Sequence, residues 1–302
     1  MNTTSAARHD AAPDLGPGDA DTSGGRFGRF GRFGRFGRIA GHPLGWSLTG
    51  LLGIGLVGGV TATGPGPVPL LGAVAAVAVY WAVMRRVARR DVPEIARRGA
   101  GREALLGGGI GAGFVLLSAL VITVFGGCSF SWAGHGFVPV VASAATLAAG
   151  AAVTEELMFR GLALQALEQR WGSRAALVVT ALFFGGAHLA SPGATAWSAL
   201  ALAVEAGGLL GAAFLWRRSI WFAVGLHFAW NTTLQLLGIP VSGHAGNGLL
   251  AAEVTGPAVL TGGEFGLEAS VVPVVIGLLI AVRMLVLAHR RGNLAPGRRA
   301  RR

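Results

Sequence analysis

Eight long apolar runs, divided by short polar segments, organise most of this 302-residue chain. They run approximately from Leu44 to Thr63, Val68 to Met84, Ala104 to Phe125, Phe137 to Met158, Ala175 to Ala190, Ala196 to Trp216, Ser219 to Leu237 and Ala269 to Ala288. A bilayer core takes about 20 helical residues and tolerates somewhat fewer, so each run has the length of a membrane span. The pattern predicts an all-α, polytopic transmembrane helical bundle of about eight spans. The polar stretch Met1 to Gly25 contains too few apolar groups to offset the entropy of ordering, and is expected to be a disordered tail. Because no apolar segment follows the start methionine directly, the run from Leu44 is expected to remain as a span and not to act as a cleaved leader.

Charge orients the bundle. The arginines fall in Arg26 to Arg38, Arg85 to Arg102, Arg170 and Arg174, Arg217 and Arg218, and the tail from Arg290 onward, whereas the alternate loops carry none. Basic loops stay on the cytoplasmic side, so both termini are expected there. The four outer loops would be Gly64 to Pro67, Gly126 to Gly136, Ser191 to Thr195 and the acidic Gly238 to Glu268 stretch. Arg26 to Arg38 repeats Arg-Phe-Gly with a period of three, which suits neither a helix nor a strand; it reads as a solvated linker, or as a segment lying on anionic headgroups.

Composition agrees with the membrane as solvent: 52% hydrophobic residues, 13% charged, and a mean hydropathy of +0.59. A formal charge of +11 placed at span ends is explained by anchoring to lipid, and no nucleic-acid partner is expected. All basic residues are arginine, and with 50 glycines this suggests a bacterial plasma-membrane protein. The one cysteine, Cys128, offers neither a disulfide nor a thiolate metal site.

Ionisable groups within spans are costly and need a partner or a function. Here they cluster as Glu155-Glu156-x-x-x-Arg160, Phe184-x-x-x-His188 and His227-x-x-x-Asn231, each on its own run. Glu156 and Arg160, four apart, share a helix face where an ion pair forms, while Glu155 is turned about 100° away and left free. Glu155 lies 15 residues before Arg170 and His188 lies 15 residues after Ser173, with Trp171-Gly172 between the two helices. An antiparallel hairpin therefore brings them level, about 22 Å from its tip. His227 and Asn231 point the same way from a third helix. A carboxylate that takes a proton from water, a histidine that orients the water and donors for an oxyanion suit peptide-bond hydrolysis. No Gly-x-Ser-x-Gly elbow competes.

These three motifs, in order over Val153 to Asn231, resemble the CPBP (Abi) family of intramembrane proteases, which includes the CAAX prenyl endopeptidases. The resemblance implies that Glu155 and His188 activate water, that His227 and Asn231 bind the oxyanion, and that Glu156 and Arg160 support the site. It implies a metalloprotease-like endopeptidase acting on a membrane-associated peptide or protein in a lipid environment. Zinc would find three candidate ligands in Glu155, His188 and His227, although no His-Glu-x-x-His helix is present. The expected organisation is an N-terminal tail (1–43), N-terminal transmembrane helices (44–136), a catalytic helical core (137–240), an outer loop with the last transmembrane helix (241–289) and a basic C-terminal tail (290–302). Glu205, within the sixth run, has no motif partner. The competing function is a non-catalytic membrane scaffold or bacteriocin-immunity protein of the same fold.

Overall fold

The computed structural model describes residues 42–297. The Arg-Phe-Gly repeat and nearly all of the N-terminal tail lie outside the described residues, as do the last five residues of the basic tail.

The chain is an all-α polytopic bundle with one small sheet. In chain order its elements are α1 (Pro43–Thr61), α2 (Val68–Ala82), α3 (Ala100–Val124), β1 (Cys128–Trp132), α4 (Phe137–Glu156), α5 (Gln165–Trp171), α6 (Ser173–Ala187), α7 (Ala196–Leu202), α8 (Leu209–Arg217), α9 (Ile220–Leu236), β2 (Leu250–Val254), α10 (Ala258–Thr261) and α11 (Val271–Arg290). Helix starts follow local chemistry. Pro43 opens α1, Thr195 and Ser198 form a reciprocal capping box at α7, and the Ser270 hydroxyl accepts from the Val272 amide at α11. Gly172, at φ 83°, makes the turn that separates α5 from α6.

Three π-helical segments continue these helices: Val83–Val87 after α2, Leu157–Leu164 between α4 and α5, and Ala203–Gly208 between α7 and α8. With them, seven rods among the described residues are long and apolar enough to cross a membrane, the longest being Phe137–Trp171 at 35 residues. The eighth expected span is α9, shorter at 17 residues, about 25 Å long at the helical rise. The sheet was not anticipated. β1 pairs antiparallel with β2, Cys128 opposite Val254, and so joins two of the expected outer loops.

Burial separates lipid-facing helices from the core. Leu48, Leu52 and Leu56 project from α1 at exposures of 59%, 67% and 70%, in one row four residues apart. By contrast, 78% of an 18-residue stretch of the Ala196–Arg217 rod is buried, which puts it at the centre. Glycine lets α3 and α9 approach closely. A Cβ on Gly107 would stand 2.1 Å from the Phe222 carbonyl oxygen, and one on Gly111 would stand 2.1 Å from that of Leu226. Gly113 on α3 and Gly59 on α1 meet nothing within 4 Å.

Arginine-rich segments gather at one end. There Arg217 pairs with Glu103, Arg218 with Glu168 at 2.7 Å, and Arg90 with the buried Glu94 at 2.7 Å. Arg170 lies 2.7 Å from His42, and the C-terminal strap docks alongside, with the Ser173 amide donating to the Ala295 carbonyl at 3.0 Å. The opposite end holds the sheet, the 191–195 turn and the acidic loop.

Candidate active site

The site is built where two π segments meet. Glu155 and Glu156 end α4, immediately before the first of them. Glu156 and Arg160 are buried, at 0% and 2% exposure, and pair at 2.9 Å. A charged pair survives in such a place only when its remaining hydrogen-bonding groups are also satisfied. Arg160 meets its part of that demand by donating to the Ala206 and Gly207 carbonyls at 2.9 and 3.2 Å, in the second π segment, and its guanidinium lies 5.0 Å from the Phe184 ring centre, whereas Glu156 Oε2 has no hydrogen-bond partner among the described residues. π turns release carbonyls from the regular ladder and recur at functional sites.

His227, eight residues into α9, stands between the two glutamates. Its Nδ1 lies 3.0 Å from Glu156 Oε1, and its Nε2 lies 4.0 Å from Glu155 Oε2. Nδ1 therefore donates to Glu156, which fixes the ring plane and aims Nε2 at Glu155. Glu155 retains 31% side-chain exposure. The expected free carboxylate is thus free, and the expected supporting carboxylate has a second duty: Glu156 orients His227 as well as binding Arg160.

The hairpin brings Glu155 and His188 level. Phe159, one turn after Glu155, and Phe184, one turn before His188, touch at 4.9 Å between ring centres. The Nδ1 of His188 donates to the Phe184 carbonyl at 2.8 Å and leaves Nε2 open. No ion pair or hydrogen bond joins Glu155 directly to His188 among the described residues. Phe184 lies between the two imidazoles, its ring standing 4.8 Å from His188 and 6.3 Å from His227. Asn231, 9% exposed, follows His227 by one turn on the same face. Trp230 points away from the site, against Phe114 at 4.6 Å.

Two further buried acids belong to the bundle and its acidic loop, one of them the partnerless Glu205 of the sixth run. Glu205, in the second π segment, is 0% exposed, and neither of its oxygens has a hydrogen-bond partner. Glu268 is 2% exposed and accepts from the Ser242 amide. Burial raises the Glu268 carboxyl above the usual carboxylate range, opposed by the Ser242 amide and by the charges of His188 and His227. A loop position after a long polar stretch gave no sequence signal for Glu268, since only the chain's return over the bundle buries it.

Among the described residues, no three His, Cys, Asp or Glu side chains are grouped closely enough to hold a metal ion. Glu155, His188 and His227 as arranged therefore do not make a three-ligand zinc shell.

These features define a class: a multi-pass α-helical membrane protein whose acid and histidine site lies within its bundle. Residues 137–233 match the family model described as type II CAAX prenyl endopeptidase Rce1-like. That segment spans α4 to two residues beyond Asn231, and so contains Glu155, Glu156, Arg160, His188, His227 and Asn231. The match bears out the family resemblance read from Val153 to Asn231 and extends it back to the start of α4. No curated protein and no solved structure matches the chain.

Proposed function

We propose that the protein is an intramembrane endopeptidase of the CAAX-protease type, hydrolysing a peptide bond of a membrane-associated peptide or protein with water as nucleophile. Glu155 takes a proton from water as the water oxygen attacks the scissile carbonyl, and His188 orients that water through its open Nε2. His227 and Asn231 donate to the oxyanion of the tetrahedral intermediate. Glu155 then returns the proton to the departing amine as the C–N bond breaks. Glu156 and Arg160 are positioning residues, acting through His227 and the π-segment carbonyls.

The observation that carries this reading is the division of labour between two adjacent carboxylates on one imidazole. Glu156 is consumed at 3.0 Å on the Nδ1 side, while Glu155 stays partly exposed at 4.0 Å on the Nε2 side. A purely structural pair has no reason to leave one acid open. In the plasma membrane the arginine-rich end would face the cytoplasm, with both termini inside.

Comparative proteomics of membranes expressing the native chain or Glu155→Gln tests the function. A membrane precursor that accumulates only with the variant supports it. Identical membrane proteomes, with both chains present at equal level, would favour the non-catalytic scaffold.

A further inference from the structure

Tyr80, the one tyrosine of the chain, is fully buried near the end of α2. Its hydroxyl donates to Glu94 and accepts from Arg90 Nη2 and Gln165 Nε2, each at 3.3 Å. Arg90 grips Glu94 with both ends of its guanidinium, at 2.7 and 3.2 Å, and donates to the Gln165 side-chain oxygen at 3.0 Å. Of the buried polar side-chain atoms in this set, Arg90 Nε alone lacks a partner among the described residues. Such a set holds its members in one arrangement, because each would be left unsatisfied alone. The turn that delivers Arg90 is strained. Arg89 adopts φ 53°, a left-handed conformation unusual for a residue with a side chain, where the Arg90 amide donates to the Met84 carbonyl at 3.0 Å. Strain of this kind persists where surrounding contacts over-determine it.

The network ends on Gly161, the residue after Arg160. In a regular α-helix the Gly161 carbonyl would accept from the Gln165 amide. Along Leu157–Leu164 the ladder is shifted, and that amide donates to the Leu162 carbonyl instead. The Gln165 side chain takes its place, donating from Nε2 to the Gly161 carbonyl at 2.9 Å, and the Tyr80 hydroxyl lies 3.3 Å from the same oxygen. Sterics fix the same point. A Cβ on Gly161 would stand 2.7 Å from Tyr80 Cε2, so the ring rests on bare backbone. From the neighbouring residue Arg160 donates to Glu156 at 2.9 Å, and His227 Nδ1 stands 3.0 Å from that same carboxylate.

We infer that Tyr80 is a positioning residue of the proposed active site: together with Gln165 it fixes the Gly161 carbonyl, and so sets the π segment that presents Arg160 to Glu156 and, through Glu156, orients His227. The Arg90–Glu94 pair holds the Tyr80 hydroxyl from the loop at the arginine-rich end. The inference rests on the reading of the site given above, and it assigns a role to residues that precede the 137–233 match. A displaced carbonyl inside a helix has to be satisfied from elsewhere, and π turns recur where a site needs that displacement.

The test uses the full chain reconstituted in liposomes, with a fluorogenic peptide bearing a transmembrane segment as probe and rates expressed per folded molecule. Tyr80→Phe keeps the ring and removes the hydroxyl. Its kcat should fall by about ten- to a hundredfold, the range for losing a group that orients a catalytic side chain, with KM little changed. A network that only ties helices together would lower the folded fraction and leave kcat per folded molecule native. That result, or a change confined to KM, overturns the inference. If Tyr80→Phe does not fold, Gln165→Met decides in its place, since it removes the Nε2 donor to Gly161 and leaves the bonds among Tyr80, Arg90 and Glu94. The same fall in its kcat supports the inference, and a native kcat overturns it. Glu155→Gln in the same assay separates the two proposals. Activity retained there removes the active-site reading itself, whereas activity lost there with Tyr80→Phe at the native rate removes only the role of Tyr80.

Discussion

The two ends of the bundle treat their carboxylates differently. At the arginine-rich end Glu103, Glu168 and Glu94 each meet a guanidinium, and the pairs tie together segments distant in sequence. Toward the other end compensation runs out: Glu156 has Arg160, while Glu155, Glu205 and Glu268 have no arginine partner among the described residues. Paired acids hold helices in register, and of the unpaired ones Glu155 stands 4.0 Å from His227. In a low-dielectric interior an uncompensated carboxylate is expensive, so its retention marks where chemistry is to be sought.

Removing the last compensated pair should break this contrast most severely. Arg160→Met leaves the buried Glu156 without its cationic partner, with only the His227 imidazole against it, and should cost about 3–5 kcal/mol in unfolding from mild detergent. At the basic end, Glu168→Ala removes two charge-assisted bonds to Arg218 and the acceptor of the Ser173 hydroxyl. A loss of about 1–3 kcal/mol is expected there, measured by the same unfolding, with peptidase kcat kept in the folded fraction. Glu253→Gln and Glu264→Gln, on the exposed part of the acidic end, should change neither stability nor kcat, because water already solvates those charges.

Much of this was legible in residue order. The apolar runs located seven rods and α9, and the alternation of arginine-bearing loops anticipated which segments meet at each end. The matching 15-residue spacings of Glu155 from Arg170 and of His188 from Ser173 anticipated a common level, and Phe159 and Phe184, one turn from each, are in contact. The i, i+4 rule found the Glu156–Arg160 pair. Other features depend on geometry that periodicity does not encode. A π turn shifts the hydrogen-bond ladder without a residue signature, so the carbonyls of Ala206 and Gly207 were invisible as partners of Arg160. The contact of Glu156 with His227 depends on helix packing between residues 71 positions apart. The β1–β2 pairing lies in segments short enough to read as loops, and Glu268 is buried only by the return of its loop over the bundle.

Single-turnover cleavage by the purified, reconstituted protein, native against Glu155→Gln, tests the central claim most directly. The account predicts that the native chain cleaves a transmembrane peptide, and that the variant, equally folded and still binding the peptide, is slower by at least about a hundredfold, the lower range for removing a general base. Cleavage by Glu155→Gln at the native rate would contradict it.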